Sequence, residues 1–282
     1  MRYTFLTLCC LLFLVPVKAQ QWFLNLQAGA ANYDGELQQK KYTFQEAHPG
    51  GGIGLGYEID PHLTLSTDLL LTQISGNDKY STNIGSRDRN VNFTSNILEW
   101  SVRAEYLLFD LSDRSISPYI FGGLGIFHFN PYTFDSTGKK VLLQKVGTEG
   151  QGMPGYPAPY KLTQLSFPFG LGLRLAMSEN VRISLEAGLR GTTTGYLDDV
   201  HSTYVGYSQL LAGRGQEAAS LAYRYLELPG RDGRGAEPYP RAGFARGDGH
   251  SDWYYFTAIR ISFRINGGDY TTRQVRCPGS PM

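Results

Sequence analysis

The chain has 282 residues, with 26 Lys and Arg against 25 Asp and Glu and a formal net charge of +1. This near balance, with the basic residues scattered along the chain, argues against a nucleic-acid partner and against attraction to an anionic membrane surface. No apolar run after residue 20 has the length of a membrane-spanning helix. A membrane location would therefore require a closed β-barrel, because helices and barrels are the structures that satisfy every backbone polar group in lipid.

The N-terminal segment is typical of a secretory signal peptide. Arg2 precedes an apolar run, Phe5 to Val17, which is too short to span a bilayer. We expect residues 1–19 to be removed with the two cysteines that they contain. Cys277 would then have no intramolecular disulfide partner.

Eight segments alternate apolar and polar residues with the period of two that is typical of β-strands. In the stretch NVRISLEAGLRGT, Val181 and Ile183 share one face, whereas Arg182 and Glu186 share the other. Most segments have the length of about ten residues that a tilted strand needs to cross a bilayer. They lie at residues 22–30, 52–59, 62–72, 98–108, 118–129, 163–176, 180–192 and 253–265.

Short and long connections alternate between these segments. Short turns lie at 60–61, 111–117 and 177–180 and contain Pro, Asp or Ser, which are common turn formers. An up-and-down outer-membrane barrel, with short periplasmic turns and longer extracellular loops, has this order. The long links run from Asp34 to Pro49, Ser75 to Val91, Asn130 to Lys161 and Thr194 to Asp252.

The alternation alone also fits a soluble β-sandwich whose charged face meets water. Aromatic residues near strand ends, such as Trp22 and Trp253, favour the girdles of a membrane barrel. The sequence therefore predicts an all-β fold, an eight-stranded antiparallel up-and-down transmembrane β-barrel with long extracellular loops, surrounded by outer-membrane lipids. We assign residues 20–266 to the barrel and 267–282 to a periplasmic tail.

The alternate strand positions that carry charged residues are expected to point into the barrel. Eight strands leave room for side chains but not for a wide channel, and buried charges are tolerable when they balance. We predict a lumen network that closes the barrel, with space for its long Arg side chains provided by Gly54, Gly56, Gly170 and Gly172. The predicted lumen network consists of Glu58, Asp68, Glu99, Arg103, Glu105, Arg174, Arg182, Glu186, Arg190, Arg260 and Arg264.

No catalytic motif stands out. His201 lies near Asp198 and Ser202 in YLDDVHST, which are the ingredients of a catalytic triad, but loops commonly contain such residues. Asp198 and Asp199 could hold a cation, although hydrogen bonding at the barrel rim is the favoured interpretation. We therefore predict no catalytic, cofactor-binding or metal-binding residues, no small-molecule substrate and no enzymatic activity.

The last long link is rich in Gly, Arg and Pro between residues 212 and 252 and contains a helical pattern, QEAASLAYRYLE, at 216–227. A loop of this length is usually functional or disordered. We expect it to bind a protein partner or to order over the barrel mouth. Its neighbouring rim motif, which we expect to shape the outer rim, consists of Leu197, Asp198, Asp199, Val200 and Tyr204.

Several stretches together resemble one known family. They are SPYIFGGLGIFHFNP, GTEGQG, PFGLGLRLAMSENVRISLEAGLR followed by TTTGYLDDVHSTYV, EAASLAYR and RGDGHSDWYYF. In this order the chain resembles the PorG-like outer-membrane β-barrel proteins of the Bacteroidota. The resemblance implies an integral outer-membrane protein that is associated with the type IX secretion and gliding machinery and with its periplasmic ring proteins.

Three hypotheses about function follow. The first is a non-enzymatic structural barrel that anchors a periplasmic type IX secretion and gliding complex. The second is a surface adhesin or a scaffold that presents loops, and the third is a lipid-modifying barrel enzyme.

Overall fold

The computed structural model describes residues 21–38, 43–230 and 239–265. The expected signal peptide, the expected periplasmic tail and Cys277 lie outside the described residues. Within them the chain forms nine strands: β1 Gln21–Asp34, β2 His48–Glu58, β3 Leu63–Asn77, β4 Asn92–Leu107, β5 Ile116–Phe134, β6 Lys140–Leu142, β7 Thr163–Ala176, β8 Val181–Thr192 and β9 Trp253–Arg264.

Eight of these strands close into an antiparallel barrel. Each long strand pairs with its neighbours along the chain, and β1 also pairs with β9, with Leu26 opposite Ile261. The three-residue strand β6 pairs with the end of β5 above the barrel wall. The predicted fold, including the strand number and the up-and-down order, is confirmed.

Strands β1 to β5 are longer than the sequence pattern predicted, whereas β7, β8 and β9 match their predicted ranges to within one residue. They contain 11 to 19 residues, and β5 is the longest. In β1 to β5 the alternation marked the lipid-facing part of the strand, whereas the pairing continues beyond that part towards the long connections. The barrel wall therefore rises past the apolar band and supports the long connections.

The outer surface of the barrel is apolar. Leu124 and Leu171 lie near the middle of their strands and are 65% and 64% exposed. Aromatic rings meet near both ends of the wall, where Trp22 packs against Tyr57 at 4.8 Å and Phe169 against Trp253 at 5.8 Å between ring centroids. A band of exposed aliphatic side chains between aromatic girdles is the surface that a bilayer covers.

The two ends of the barrel differ. The turn end carries the short connections 59–62, 108–115 and 177–180, together with the start of β1 and the end of β9. The loop end carries the long connections, and we call their described residues the cap: 35–38, 43–47, 78–91, 135–162, 193–230 and 239–252. The cap contains α1 Ile84–Arg89, α2 Leu143–Val146, α3 Tyr207–Arg214, α4 Gln216–Ala222 and two 3₁₀ turns, Asp78–Tyr80 and Tyr225–Glu227.

The helix expected over residues 216–227 is shorter than predicted. It ends at Ala222, because Tyr223 adopts an extended backbone conformation with φ −152°. A 3₁₀ turn follows, which buries Tyr225 and leaves Leu226 exposed. Leu221 and Tyr225 are buried.

The cap and the upper barrel share one apolar core. Aromatic side chains inside the barrel, including Phe127, Phe129 and Tyr254, pack with Leu197 and Leu210 of the cap in a single cluster of buried residues. Burial of aliphatic and aromatic side chains contributes about 1.5–3 kcal/mol each. The last long connection is therefore folded over the barrel mouth.

Candidate functional site

The lumen contains a layer of buried ion pairs near the middle of the barrel. Arg103 contacts three carboxylates: its Nε lies 3.1 Å from Asp68, its Nη2 3.1 Å from Glu105 and its Nη1 3.1 Å from Glu186. These residues come from β3, β4 and β8, so the contacts cross the lumen. The layer links opposite walls of the barrel.

Arg260 of β9 contacts the same three carboxylates. Its distances are 3.3 Å to Asp68, 3.3 Å to Glu105 and 2.9 Å to Glu186. Arg174 adds a contact of 2.5 Å to Glu105. Three guanidinium groups thus balance three carboxylates, a condition under which buried charges are tolerated.

The rest of the predicted lumen network lies above and below this layer. Arg190 contacts Glu99 at 3.6 Å towards the loop end, and Arg182 contacts Glu58 at 2.5 Å towards the turn end. Arg264 donates a hydrogen bond to Gln21 at 2.6 Å and forms no ion pair with a described residue. The structure thus brings ten of the eleven predicted residues into ion pairs.

The predicted reason for the inward glycines is wrong. A Cβ at Gly172 would contact the Tyr119 ring, and a Cβ at Gly170 would contact the Phe121 ring and the backbone of β8. The glycines therefore make room for aromatic rings, and those rings support the guanidinium groups. Arg174 lies 4.6 Å from the centroid of Tyr119 and Arg103 lies 4.5 Å from that of Phe121.

The other two inward glycines, Gly54 and Gly56, do not make room for Arg side chains either. A Cβ at Gly54 would contact the Asp68 carboxylate, and a Cβ at Gly56 would lie 3.2 Å from the Asn25 amide. At neither position do the nearest atoms belong to an Arg side chain. Small residues here admit a carboxylate and an amide to the lumen.

A vestibule of about 460 Å³ opens at the turn end, below the ion-pair layer. Its lining includes Arg182, Arg264 and Glu58, together with the turn residues Asp110 and Glu179. The vestibule is bounded above by the paired charges. It is a blind recess with mixed charge.

The predicted rim motif lies in the interior of the cap instead of at its surface. All of its residues are buried, with exposed fractions between 0% and 7%: Leu197, Asp198, Asp199, Val200 and Tyr204. Leu197 and Val200 belong to the apolar core. The two aspartates point into separate polar clusters.

Asp198 belongs to a carboxylate cluster with Glu36 and Asp252. Their carboxylate oxygens lie within 4.8 Å of one another. The Tyr33 hydroxyl is 2.8 Å from Asp198 and 3.1 Å from Asp252. Burial raises the pKa of Glu36 to about 7 and raises the pKa of Asp198 and of Asp252 well above the usual range, with further contributions from the neighbouring carboxylates. The cluster therefore retains protons near neutral pH.

Asp199 belongs to a second cluster built around Glu149 and Arg246. Arg246 contacts Glu149 at 3.0 Å, and its guanidinium also donates to the backbone carbonyl of Asp199 at 2.5 Å. The Asp199 carboxylate accepts hydrogen bonds from Thr148 and Tyr160 at 2.5 and 2.8 Å. Burial raises the pKa of Asp199 to about 6, although Arg246 opposes this shift. This cluster joins three separate segments of the cap, which carry Glu149, Asp199 and Arg246.

The ingredients of a catalytic triad do not come together. The Ser202 hydroxyl donates to Glu149 at 2.6 Å, and Asp198 accepts from Tyr33 and from the backbone of Val200. The ring of His201 packs 4.7 Å from that of Tyr196, and its Nδ1 has no hydrogen-bond partner among the described residues. Among the described residues, no hydrogen bond therefore joins these three side chains directly.

Sequence reasoning missed the residues that hold the cap together. Tyr33 lay beyond the predicted first strand, 22–30, and was not singled out, and Glu149 lay in a Gly-rich stretch, GTEGQG, with no periodic pattern. Arg89 pairs with Asp78 at 2.7 Å inside the cap and was not singled out either. These contacts join residues far apart in the chain, so no local spacing signals them.

Comparisons with known proteins agree with a membrane barrel. A family model described as outer membrane protein beta-barrel domain matches residues 5–209. No curated protein matches the chain. Among the helices of the described ranges, none is long and apolar enough to cross a membrane.

Several solved structures are similar to this chain over most of their length. Neisserial surface protein A is 10% identical with a TM-score of 0.41, covering 86% of this chain and 98% of that one. A major outer membrane protein from Thermus thermophilus is 10% identical with a TM-score of 0.42, covering 88% and 100%. The attachment invasion locus protein Ail of Yersinia pestis is 8% identical with a TM-score of 0.35, covering 86% and 97%.

Proposed function

Because the chain belongs to the outer membrane protein beta-barrel family and lies in the outer membrane, we propose that it is a non-enzymatic scaffold that holds a folded cap on the extracellular surface. The loop end of the barrel is the extracellular end, and the turn end is periplasmic. This is the second of the hypotheses drawn from the sequence. The observation that carries it is the single apolar core shared by the cap and the upper barrel.

The lumen supports a scaffold rather than a pore. Its middle layer is filled by paired side chains that are at most 4% exposed, including Arg103, Arg260 and Glu105. Opening a path would require breaking several buried ion pairs, each of which costs about 3–5 kcal/mol when one partner is removed. The separation of Asp198, His201 and Ser202 into different clusters supports a non-enzymatic role.

Limited proteolysis of outer membranes tests this function. Arg224 and Arg246 are basic residues of the cap that are only 7% and 6% exposed, so trypsin should not cut after them while the cap is folded. Leu221→Asp places a charge in the cap core and should expose both sites. Leu226→Asp, at a position of the cap that is 47% exposed, is the matched control and should not.

Mass spectrometry of the tryptic fragments gives the readout, and heat-modifiable gel mobility reports that the barrel itself is folded. Cleavage of the unsubstituted chain after Arg224 and Arg246 at the rate of the Leu221→Asp variant would contradict the proposal.

A second candidate function is the anchoring of a periplasmic type IX secretion and gliding complex. Two observations support it: the resemblance to PorG-like proteins and the vestibule at the periplasmic end, where the wall of Arg182, Arg264 and Glu58 could receive a charged segment of a ring protein. Cross-linking in the cell, followed by co-purification, tests this function. Normal secretion and gliding in a deletion strain would exclude it.

A further inference from the structure

A second cleft lies in the cap, on the extracellular side. It has a volume of about 350 Å³ and lies between α1 and the segments that carry Tyr204, Tyr223 and Phe244. Asn83 and Ser86 line the opposite wall. This volume falls in the range of small-ligand sites, about 300–1,000 Å³.

The walls of the cleft are fixed by backbone hydrogen bonds. The Tyr204 amide donates to the Phe244 carbonyl at 2.8 Å, and the Gly243 amide donates to the Tyr204 carbonyl at 2.9 Å. On the other side the Arg224 amide donates to the Arg89 carbonyl at 2.9 Å and so ties α1 to the segment after α4. A cleft with such walls requires little ordering when a ligand binds.

The cationic groups at the cleft floor are already neutralised. Arg89 is held by Asp78 with hydrogen bonds of 2.7 and 2.8 Å, and Arg246 is held by Glu149 at 3.0 Å. Both pairs are buried within the cap. The floor therefore has no excess positive charge for a sulfated or phosphorylated ligand, and a neutral ligand is favoured.

The remaining groups of the cleft are aromatic faces and neutral polar groups. Phe244 is 62% exposed, and the rings of Tyr204 and Tyr223 meet edge to face at 6.0 Å. The side-chain oxygen of Asn83 accepts from the amides of Gly85 and Ser86, so its NH₂ group is the part that can donate to a ligand. Aromatic rings with apolar faces and neutral donors in one cleft match the two faces of a sugar ring, one of C–H groups and one of hydroxyls.

From this combination the geometry points to a binding site for a neutral oligosaccharide in the cleft between Asn83 and Phe244. The sugar packs its C–H face on Phe244 and on the partly exposed Tyr223, and it accepts hydrogen bonds from Asn83 and Ser86. The inference rests on the proposed function, because the site requires a folded cap. It names the class of ligand that the cap would bind. A protein partner would need an interface of about 1,000 Å² or more, which is larger than a cleft of this kind offers.

The test uses the mature chain folded in a zwitterionic detergent, because detergents with sugar head groups would compete for the cleft. An array of neutral and sulfated oligosaccharides is probed first, and calorimetry then measures the neutral oligosaccharide with the strongest signal. Phe244→Ala and Asn83→Ala should each weaken binding, the former by at least about tenfold. Phe44→Ala, at an aromatic side chain that is 89% exposed elsewhere in the cap, should leave affinity unchanged.

Heat-modifiable mobility and protection of Arg224 from trypsin report the fold of every variant. Absence of neutral binding, a preference for sulfated members, or an equal loss in Phe44→Ala would overturn the site. If these results occur while Arg224 stays protected, the oligosaccharide site is wrong and the scaffold function stands. If Arg224 is cleaved in the unsubstituted chain, the scaffold function fails first.

Discussion

Replacing Arg103 with Met tests the ion-pair layer of the lumen. The substitution keeps an unbranched apolar stem but removes the charge that contacts Asp68, Glu105 and Glu186. It also removes the packing of the guanidinium on Phe121. The three carboxylates would then face two guanidinium groups, which leaves a net negative charge in the sealed lumen.

The expected loss in the free energy of unfolding depends on the ion pairs that remain after the substitution. Removing one partner of a buried ion pair costs about 3–5 kcal/mol. Because Arg260 still contacts the same three carboxylates, we expect the lower part of this range, about 3 kcal/mol. Restoring the balance with Arg103→Met and Glu186→Gln together should cost less than the sum of the two single changes, by about 0.5–3 kcal/mol.

Urea unfolding in phospholipid vesicles, followed by Trp fluorescence, measures these differences in the free energy of unfolding. Arg264→Met is the matched control, because Arg264 is partly exposed and donates its hydrogen bond to Gln21, and it should cost less than about 1 kcal/mol. A change within about 0.5 kcal/mol for Arg103→Met, or an equal loss for Arg264→Met, would refute the reasoning.

Three further predictions concern the lipid face, a close contact in the wall and the cap. Leu171→Arg should cost about 2–4 kcal/mol in vesicle unfolding, because it places a charge on the middle of the lipid face, whereas Leu226→Arg on the cap should cost little; equal effects would contradict the membrane placement. Gly170→Ala should cost about 1–3 kcal/mol in the same assay, because its Cβ meets the backbone of β8 and the Phe121 ring, while Gly122→Ala, whose Cβ meets nothing within 4 Å, should be near neutral. Burial raises the pKa of Glu36 to about 7, so the folded cap binds more protons than the unfolded cap and should loosen as pH rises from about 5 to about 8. Hydrogen exchange of the cap amides, corrected for intrinsic rates, should depend less on pH in Glu36→Gln, and an unchanged slope would exclude a contribution of Glu36 to the titration of this cluster.

The barrel could be predicted from the sequence because a membrane strand leaves a strong local pattern. Its two faces meet lipid and lumen, so residues of one parity, such as Val181 and Ile183, differ from those of the other, such as Arg182 and Glu186. The alternation along each strand is enough to identify which charged side chains point into the lumen. It does not show that Arg103 and Arg260 share three carboxylates. Those contacts require residues on strands far apart in the chain to lie at the same height in the barrel.

The cap could not be predicted in the same way. Its connections have no period, and the residues that fix it are brought together by tertiary contacts, as with Glu149 and Arg246, which are 97 positions apart. The rim motif illustrates the difference. Asp198 and Asp199 are adjacent in sequence, yet they point into separate clusters because Asp199 adopts a left-handed backbone conformation with φ 65°.

The central claim is that this outer-membrane barrel is closed by its own charged side chains. Planar-bilayer recordings of the purified chain test it most directly, with a known porin added to the same membrane after the recording as the positive control. We expect no discrete channel openings, because the layer around Arg103, Arg260 and Glu105 fills the lumen. Stable single-channel currents from the folded, unsubstituted chain would contradict the account.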